Sequence, residues 1–425
     1  MREHLRRQFA FARLLGSAVV SQALLSAAGF AVGLMLIRRT SDLEYGSYIL
    51  ASSAILLLVS LQNAFFAPTL AIRMSQLDRA GRATLVDGLY VGQRGLLAGA
   101  AVAAGVAALC LWWAGILGRH TGPLVLAGIL ATLAVLYREF FRMVLFAHRR
   151  PLDVLRSDGA HVVLLLAGVF AATLTPAPAA LALAGLGAAA LGSGALLSAG
   201  LTRYEAWRGA GARGLVREIA PLAAWSTAGA AIHWTFSQGT IYLVAATLDV
   251  TAVAAIAATR LLLMPINLLS TGIGSLMLPL ASGWLQRHGP ALLLRRLALF
   301  ACAMVVVTLG YFALLWWWRE EVFAVVLRKQ FAERDALLLL WGLVFLVMVV
   351  RDQLIYLLAA QARFRVLTLL TLASAVVSLT AGYAGMRTLG VPGALVGMLA
   401  GELVSAIGIV MLSVRRAPVL VVAPA

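Results

Sequence analysis

The sequence predicts an all-α integral membrane protein of about twelve transmembrane helices, arranged as two parallel-repeat six-helix bundles with both termini inside. Three observations carry that reading. Of the 425 residues, 62% are hydrophobic and only 12% charged, and the mean hydropathy of +0.95 lies far above that of a soluble domain. Apolar stretches near the roughly 20 residues that a spanning helix needs recur along the chain with short polar interruptions, leaving no room for a separate soluble domain. The chain also repeats itself: Arg138-Glu139 precedes Ala147-His148-Arg149-Arg150, and 213 positions on (138 to 351) Arg351-Asp352 precedes Ala360-Gln361-Ala362-Arg363. The domain organisation that follows is 1–206 for the first bundle and 207–425 for the second. Six spans per half is an even number, so both halves enter the membrane in the same sense. Parallel repeats of this kind are a signature of secondary transporters and argue for transport over catalysis.

The elements follow in order. The first span, 14–37, is too long for a signal-peptide core and runs into a second at 47–72, so it is read as retained. It offers Gln22, Ser26, Gly29 and Gly33 on one face, and the second offers Ser53, Ser60 and Asn63; small and polar residues serve helix packing as readily as they line a cavity. The third, 89–117, carries Trp112-Trp113 near its outer end, an interfacial belt matched by Trp316-Trp317-Trp318 at the end of the ninth, 297–318. The fourth, 123–147, and the tenth, 335–358, bear the repeated pairs of arginine and acid. Spans five and six, 159–175 and 178–201, form an outer hairpin without basic residues, and Pro178 is matched by Pro392 in the twelfth, 391–414. Spans seven and eight, 220–247 and 251–281, turn around Asp249, and the eleventh covers 366–387. Cys110 and Cys302 lie inside apolar segments and are expected as small buried residues; neither a disulfide, a metal nor a cofactor is implied.

A net charge of +17 raises nucleic acid as a partner, but the chain lacks the polar domain with interleaved basic and aromatic residues that such binding needs. Membrane topology accounts for the charge instead. About two thirds of the 34 Lys and Arg fall in the segments assigned to the inside and about a quarter outside, the bias expected of a protein with both termini in the cytoplasm. The loop Arg319 to Asp335 runs against the bias, being outside yet rich in basic residues. The basic segments Met1 to Arg13 and Tyr204 to Glu218 precede spans one and seven and mix arginine with Phe, Trp or Leu, which suits either a helix on the inner membrane surface or a solvated topogenic cluster.

Ionisable residues inside the spans are costly and mark the candidate site. Arg260 sits in span eight with Asn267, Thr271 and Gly274 following at helical spacing, a polar stripe on which the guanidinium would hold a diphosphate or else snorkel to the interface. Ser226, His233 and Ser237 share a face of span seven, where a histidine would titrate or form a plain packing hydrogen bond. Arg138, Arg142 and Arg351 are expected near the inner mouth as cations for an anionic headgroup, with Glu139 and Asp352 holding them or exchanging ions; the bland alternative is exposed interfacial ion pairs of little energetic weight. Glu402 is the most isolated carboxylate and a candidate proton or cation site.

Three segments carry a family resemblance: RRTSDLEYGSYIL from Arg38, TLDVTAVAAIAATRLLLMPINLL from Thr247 with Leu278-Pro279-Leu280 beyond it, and LGVPGALVGMLAGELV from Leu389. In order and spacing they resemble the multidrug, oligosaccharidyl-lipid and polysaccharide exporter superfamily, in particular its polysaccharide or O-antigen flippase branch. The resemblance implies two six-helix bundles that work by alternating access in a bacterial inner membrane. It further implies a polyprenyl-diphosphate-linked oligosaccharide as substrate, surrounding membrane lipid, other polysaccharide-assembly proteins as partners and no enzyme activity. A cation-coupled exporter of drugs or metabolites shares the fold and stays open; a glycan polymerase or ligase would need a catalytic loop or acid-base motif that is not evident.

Overall fold

The structure, a computed structural model, describes residues 2–74, 76–115, 121–204, 207, 214–361 and 363–414. Of the expectations above, the side chains of Met1 to Arg13 and of Leu278-Pro279, and much of Tyr204 to Glu218, lie outside the described residues. The described residues form helices: α1 (Arg2–Arg39), α2 (Asp42–Arg73), α3 (Arg79–Trp113), α4 (Thr121–Ala147), α5 (Pro151–Ala172), α6 (Pro178–Leu201), α7 (Leu215–Thr247), α8 (Val250–Leu261), α9 (Met264–Trp317), α10 (Arg319–Glu321), α11 (Arg334–Ala360), α12 (Phe364–Leu389) and α13 (Val391–Val414). Among the described residues, ten helices are long and apolar enough to cross a membrane, and the bent pair Val250–Leu261 with Met264–Gly274 makes an eleventh. The remaining predicted span is α7, a continuous helix whose polar face keeps it out of that set. The protein is therefore an all-α, multi-pass membrane protein.

Local sequence sets the helix ends. Ser41 caps α2 by accepting from the Glu44 amide at 3.2 Å, and Asp78 caps α3 by accepting from the Gly81 amide at 2.9 Å. Pro151 and Pro178 stand at the first positions of α5 and α6, where a missing N–H costs nothing. The repeat is visible in these boundaries: α4 and α11 are each 27 residues and begin and end 213 positions apart (121 to 334, 147 to 360), and α6 and α13 keep the same offset (178 to 391, 201 to 414). Even the terminations match, because the Arg150 amide donates to the Leu145 carbonyl and the Arg363 amide to the Leu358 carbonyl, both at 3.0 Å.

The chain forms two compact units. The first holds residues up to Trp234 with Val250–Leu261 and Val325–Lys329, and the second holds Thr235–Asp249, Leu262–Ala324 and Gln330–Ala425. The core of the first is aromatic, with Phe66, Phe140 and Phe141 buried and Tyr90 and Trp207 packed against them edge to face or tilted. The second is built on Met277, Leu293, Leu297, Leu357 and Leu358. Its α12 and α13 meet along a seam of small residues, Gly385 against Gly393, Gly382 against Gly397 and Ser378 against Gly401. A methyl added at Gly397 would lie 2.2 Å from the Gly382 nitrogen, so the helix backbones touch directly. Lipid gives helices no hydrophobic reason to associate, and close backbone packing supplies the attraction instead.

Three expectations are corrected. Span five starts at Pro151 and not at residue 159, which carries Asp158 into the helix. Span eight is broken at Leu262 and Leu263 and bent by 60°, because Pro265 has no N–H and its ring clashes with the carbonyl four residues back, that of Leu261; the Ile266 amide donates to the Leu263 carbonyl at 3.1 Å, which leaves the Leu262 carbonyl to accept from the Tyr311 hydroxyl at 2.7 Å. Within α9 the stretch Arg287 to Arg296 is helical except at Gly289, whose φ of 75° and ψ of 179° need a residue without Cβ. Cys110 and Cys302 are exposed and free of disulfides. The loop Arg319 to Asp335 folds as α10 and a π-helical turn, Val322–Leu327, with Arg319 paired to Asp335 at 3.3 Å and Arg334 to Glu320 at 2.6 Å.

The glycine seam makes a prediction. Gly397→Leu should destabilise the protein by about 1–3 kcal/mol through overpacking, whereas Gly310→Ala, where an added methyl meets nothing within 4 Å, should cost nothing. Thermal unfolding in detergent compares the two, and equal midpoints would remove the seam from the account of stability.

Candidate functional site

In the first unit, helices α1, α4 and α5 meet at one buried charge cluster. Arg138 and Arg142 stand four residues apart on α4 and so project from one face. Pro151 starts α5 seven residues before Asp158, which places that carboxylate two turns into the helix. Arg138 Nη1 donates to Glu139 Oε1 at 2.6 Å and its Nη2 donates to Asp158 Oδ1. Arg142 reaches Asp158 Oδ2 and Glu139 Oε2, each at 3.4 Å. The Ser21 hydroxyl of α1 donates to Asp158 Oδ2 and accepts from Arg142 at 3.4 Å. Beyond Asp158, His161 lies 3.3 Å from the Ser193 hydroxyl, and Ser157 donates to the Ser193 carbonyl at 2.9 Å, tying α5 to α6. Arg138 is 3% exposed and Asp158 0%, so water cannot compensate either charge. The protein does it instead, with two guanidinium groups against two carboxylates.

The second unit holds the repeat-related cluster. Arg351 forks onto Glu402, its Nε at 3.1 Å and its Nη2 at 3.2 Å from the two carboxylate oxygens, a bidentate geometry suited to the planar guanidinium. Its Nη2 also lies 3.4 Å from Asp352, and Asp352 Oδ2 accepts from the Ser270 hydroxyl at 3.0 Å. The Phe236 ring sits 5.9 Å from the guanidinium carbon. Arg138 and Arg351 correspond in the repeat, yet the far carboxylate comes from α5 in one unit and from α13 in the other. The charge balance differs too: the first cluster cancels, while the second sets one cation against two acids.

Of the residues singled out from the sequence, Arg138, Glu139 and Arg142 gather in the first cluster and Arg351, Asp352 and Glu402 in the second. Glu402 is thus not isolated, and of the exposed ion pairs considered for Arg138 and Arg351, that of Arg138 is buried and that of Arg351 part-buried. Arg260 does not share a helical stripe with Asn267 and Thr271, since α8 ends at Leu261; Thr271 donates back to the Asn267 carbonyl at 2.7 Å. Ser226 donates to the Ala64 carbonyl, the neighbouring Asn63 is half-buried on α2, and His233 and Ser237 lie on α7, the histidine exposed. Asp158, His161, Ser21 and Ser270 were missed. The readable signal was Pro151 followed by Asp153, a helix start that pulls Asp158 and His161 into the span.

No protein-family model matches the sequence, and no curated protein matches it. Solved structures do. An inward-facing multidrug resistance MATE family transporter of the MOP superfamily aligns over 93% of this chain and 97% of its own, with a TM-score of 0.72 and 13% identity. The lipid II flippase MurJ, in an inward closed conformation, aligns over 93% of this chain and 87% of its own, with a TM-score of 0.76 and 8% identity. The eukaryotic MATE transporter AtDTX14 aligns over 97% and 96%, with a TM-score of 0.65 and 12% identity. The chain has the fold of these proteins.

Removing one member of a buried ion cluster strands the other. Asp158→Leu should therefore cost about 3–5 kcal/mol, and Arg138→Met combined with Asp158→Leu should cost less than Asp158→Leu alone. Thermal midpoints of the three proteins in detergent decide it; a double variant worse than the single would mean the cluster does more than neutralise itself.

Proposed function

We propose that this protein is a flippase that carries a polyprenyl-diphosphate-linked oligosaccharide, such as an O-antigen or exopolysaccharide repeat unit, across the bacterial inner membrane by alternating access. The observation that carries the reading is the shared fold: a TM-score of 0.76 over 93% of the chain with a protein named as a lipid flippase. The sequence resemblance to polysaccharide flippases points the same way. In this proposal 1–206 and 207–425 are the repeat halves, entering the membrane in the same orientation with both termini inside. Arg260 is the proposed contact for the diphosphate, with Asn63, Ser226, Ser237, Asn267 and Thr271 as polar lining.

Coupling falls to the second cluster. One arginine against two acids leaves an excess negative charge beside the buried Glu402, and a single proton taken up by Glu402 removes it. The self-neutralised first cluster, Arg138, Glu139, Arg142 and Asp158, then serves to hold its helices together. A cation-coupled exporter of drugs or metabolites is the second reading, favoured by the alignment with the multidrug transporter.

Two experiments test this. In a strain lacking the protein, lipid-linked glycan should accumulate on the cytoplasmic face; wild type should restore surface glycan, and Arg260→Ala at matched expression should not. Normal surface glycan with reduced drug efflux would transfer the function to the exporter reading. For topology, single cysteines introduced at Thr175 and His148 in a chain with Cys110 and Cys302 replaced by alanine should label from outside and from inside respectively, and the reverse pattern would overturn the assigned orientation.

A further inference from the structure

A cavity of about 590 Å³ lies within the first unit, between α2, α3 and α4, with Thr227 of α7 at its edge. Leucine, alanine and phenylalanine make up most of the wall, and no charged residue lines it. Its polar groups gather where Gln62 of α2 and Gln93 of α3 meet the Leu136 carbonyl of α4. Gln62 Nε2 donates to that carbonyl at 2.9 Å, and Gln93 Nε2 donates to it and to Gln62 Oε1, both at 3.1 Å. Those bonds use three of the four amide N–H groups. Gln93 Oε1 accepts from no group, although the side chain is only 2% exposed. Thr132 and Thr227 already donate to the Gly128 and Ala223 carbonyls at 2.7 and 2.8 Å, so they too present only lone pairs to the cavity.

We propose that this cavity binds a neutral, largely apolar molecule carrying one O–H or N–H donor, seated with the donor on Gln93 Oε1. The chemistry of the wall selects that class. An anion or a cation would lose its hydration with no counter-charge in the wall. A plain hydrocarbon chain fills the apolar volume but leaves the buried amide oxygen unpaired, and a lone water satisfies that oxygen while leaving the apolar volume empty. The size falls in the range of drug-sized ligand sites. Leu58 and Leu96 line the cavity and are also 41% and 54% exposed, opening it on the surface of the unit, where an apolar ligand would enter from the bilayer. The site shares no lining residue with either charge cluster and holds whether or not the chain is a flippase.

The test uses the purified full chain in detergent and two probes, a long-chain fatty alcohol bearing a diazirine and the methyl ether of the same alcohol. Photolabelled peptides should map to α2, α3 and α4. The alcohol should label about three- to tenfold more than the ether, the share contributed by one neutral hydrogen bond. Gln93→Leu should bring that ratio to one, and Ala101→Phe, which fills the cavity, should lower labelling by both probes. Equal labelling of wild type by alcohol and ether, or labels confined to other helices, would overturn the proposal. Should Gln93→Leu fail to fold, the wild-type ratio and Ala101→Phe decide the matter.

Discussion

A charge or an unpaired peptide group placed in hydrocarbon has no water to turn to, so each one that this chain carries into the membrane arrives with a partner from its own protein. The constraint acts at several scales. It explains why Asp158, fully buried, takes hydrogen bonds from Arg138, Arg142 and Ser21 on two other elements, and why Arg351 turns the Nε–Nη2 edge of its guanidinium onto Glu402. It explains the broken helix as well. At the break the Ile266 amide donates to Leu263 and leaves the Leu262 carbonyl without a helical donor, and a tyrosine 49 residues away along the sequence donates to it. Where no polar partner is needed, as along the α12 and α13 seam, glycines bring backbones together and dispersion does the rest.

The two clusters show how a repeat diverges under that constraint. Helices α4 and α11 keep the same length, the same offset and the same pair of arginine and acid, so the cation is fixed in place by descent from one pattern. The compensating carboxylate is not fixed. Any helix that packs against the arginine can supply it, and the two units use α5 and α13. A second arginine, Arg142, then balances the first cluster, while position 355, its counterpart, is Ile355 and leaves the second with an acid to spare. That position thus separates a cluster whose charges balance from one that carries an extra acid.

Much of the fold was legible because hydropathy over about 20 residues is a strong signal and because the 213-residue offset needs only a comparison of the chain with itself. The errors share a cause. Reading spans by hydropathy trims their polar ends, so span five lost Asp158 and, with it, the partner of Arg138. Reading faces by ideal helical spacing carried the stripe from Arg260 through Met264-Pro265, where the helix in fact stops. Glu402 seemed isolated because its partner lies 51 residues earlier, and no local pattern reports a contact of that range. Gln62 and Gln93 went unremarked for the same reason, since a glutamine in an apolar helix gains meaning only when the facing carbonyl is known.

The positions of the charges also bear on how a headgroup could be bound. An arginine committed to a bidentate carboxylate has little left for a phosphate, since a new anion must compete with a partner already desolvated and in place. Arg351 is so committed and Arg138 is shared between Glu139 and Asp158, so in the proposed flippase neither is offered as the headgroup contact, and Arg260, at the end of α8 beside the break, is. A cation at a helix C-terminus is favoured there by the macrodipole. A bend in the following turn lets its side chain leave the helix axis, as a residue inside an unbroken span cannot.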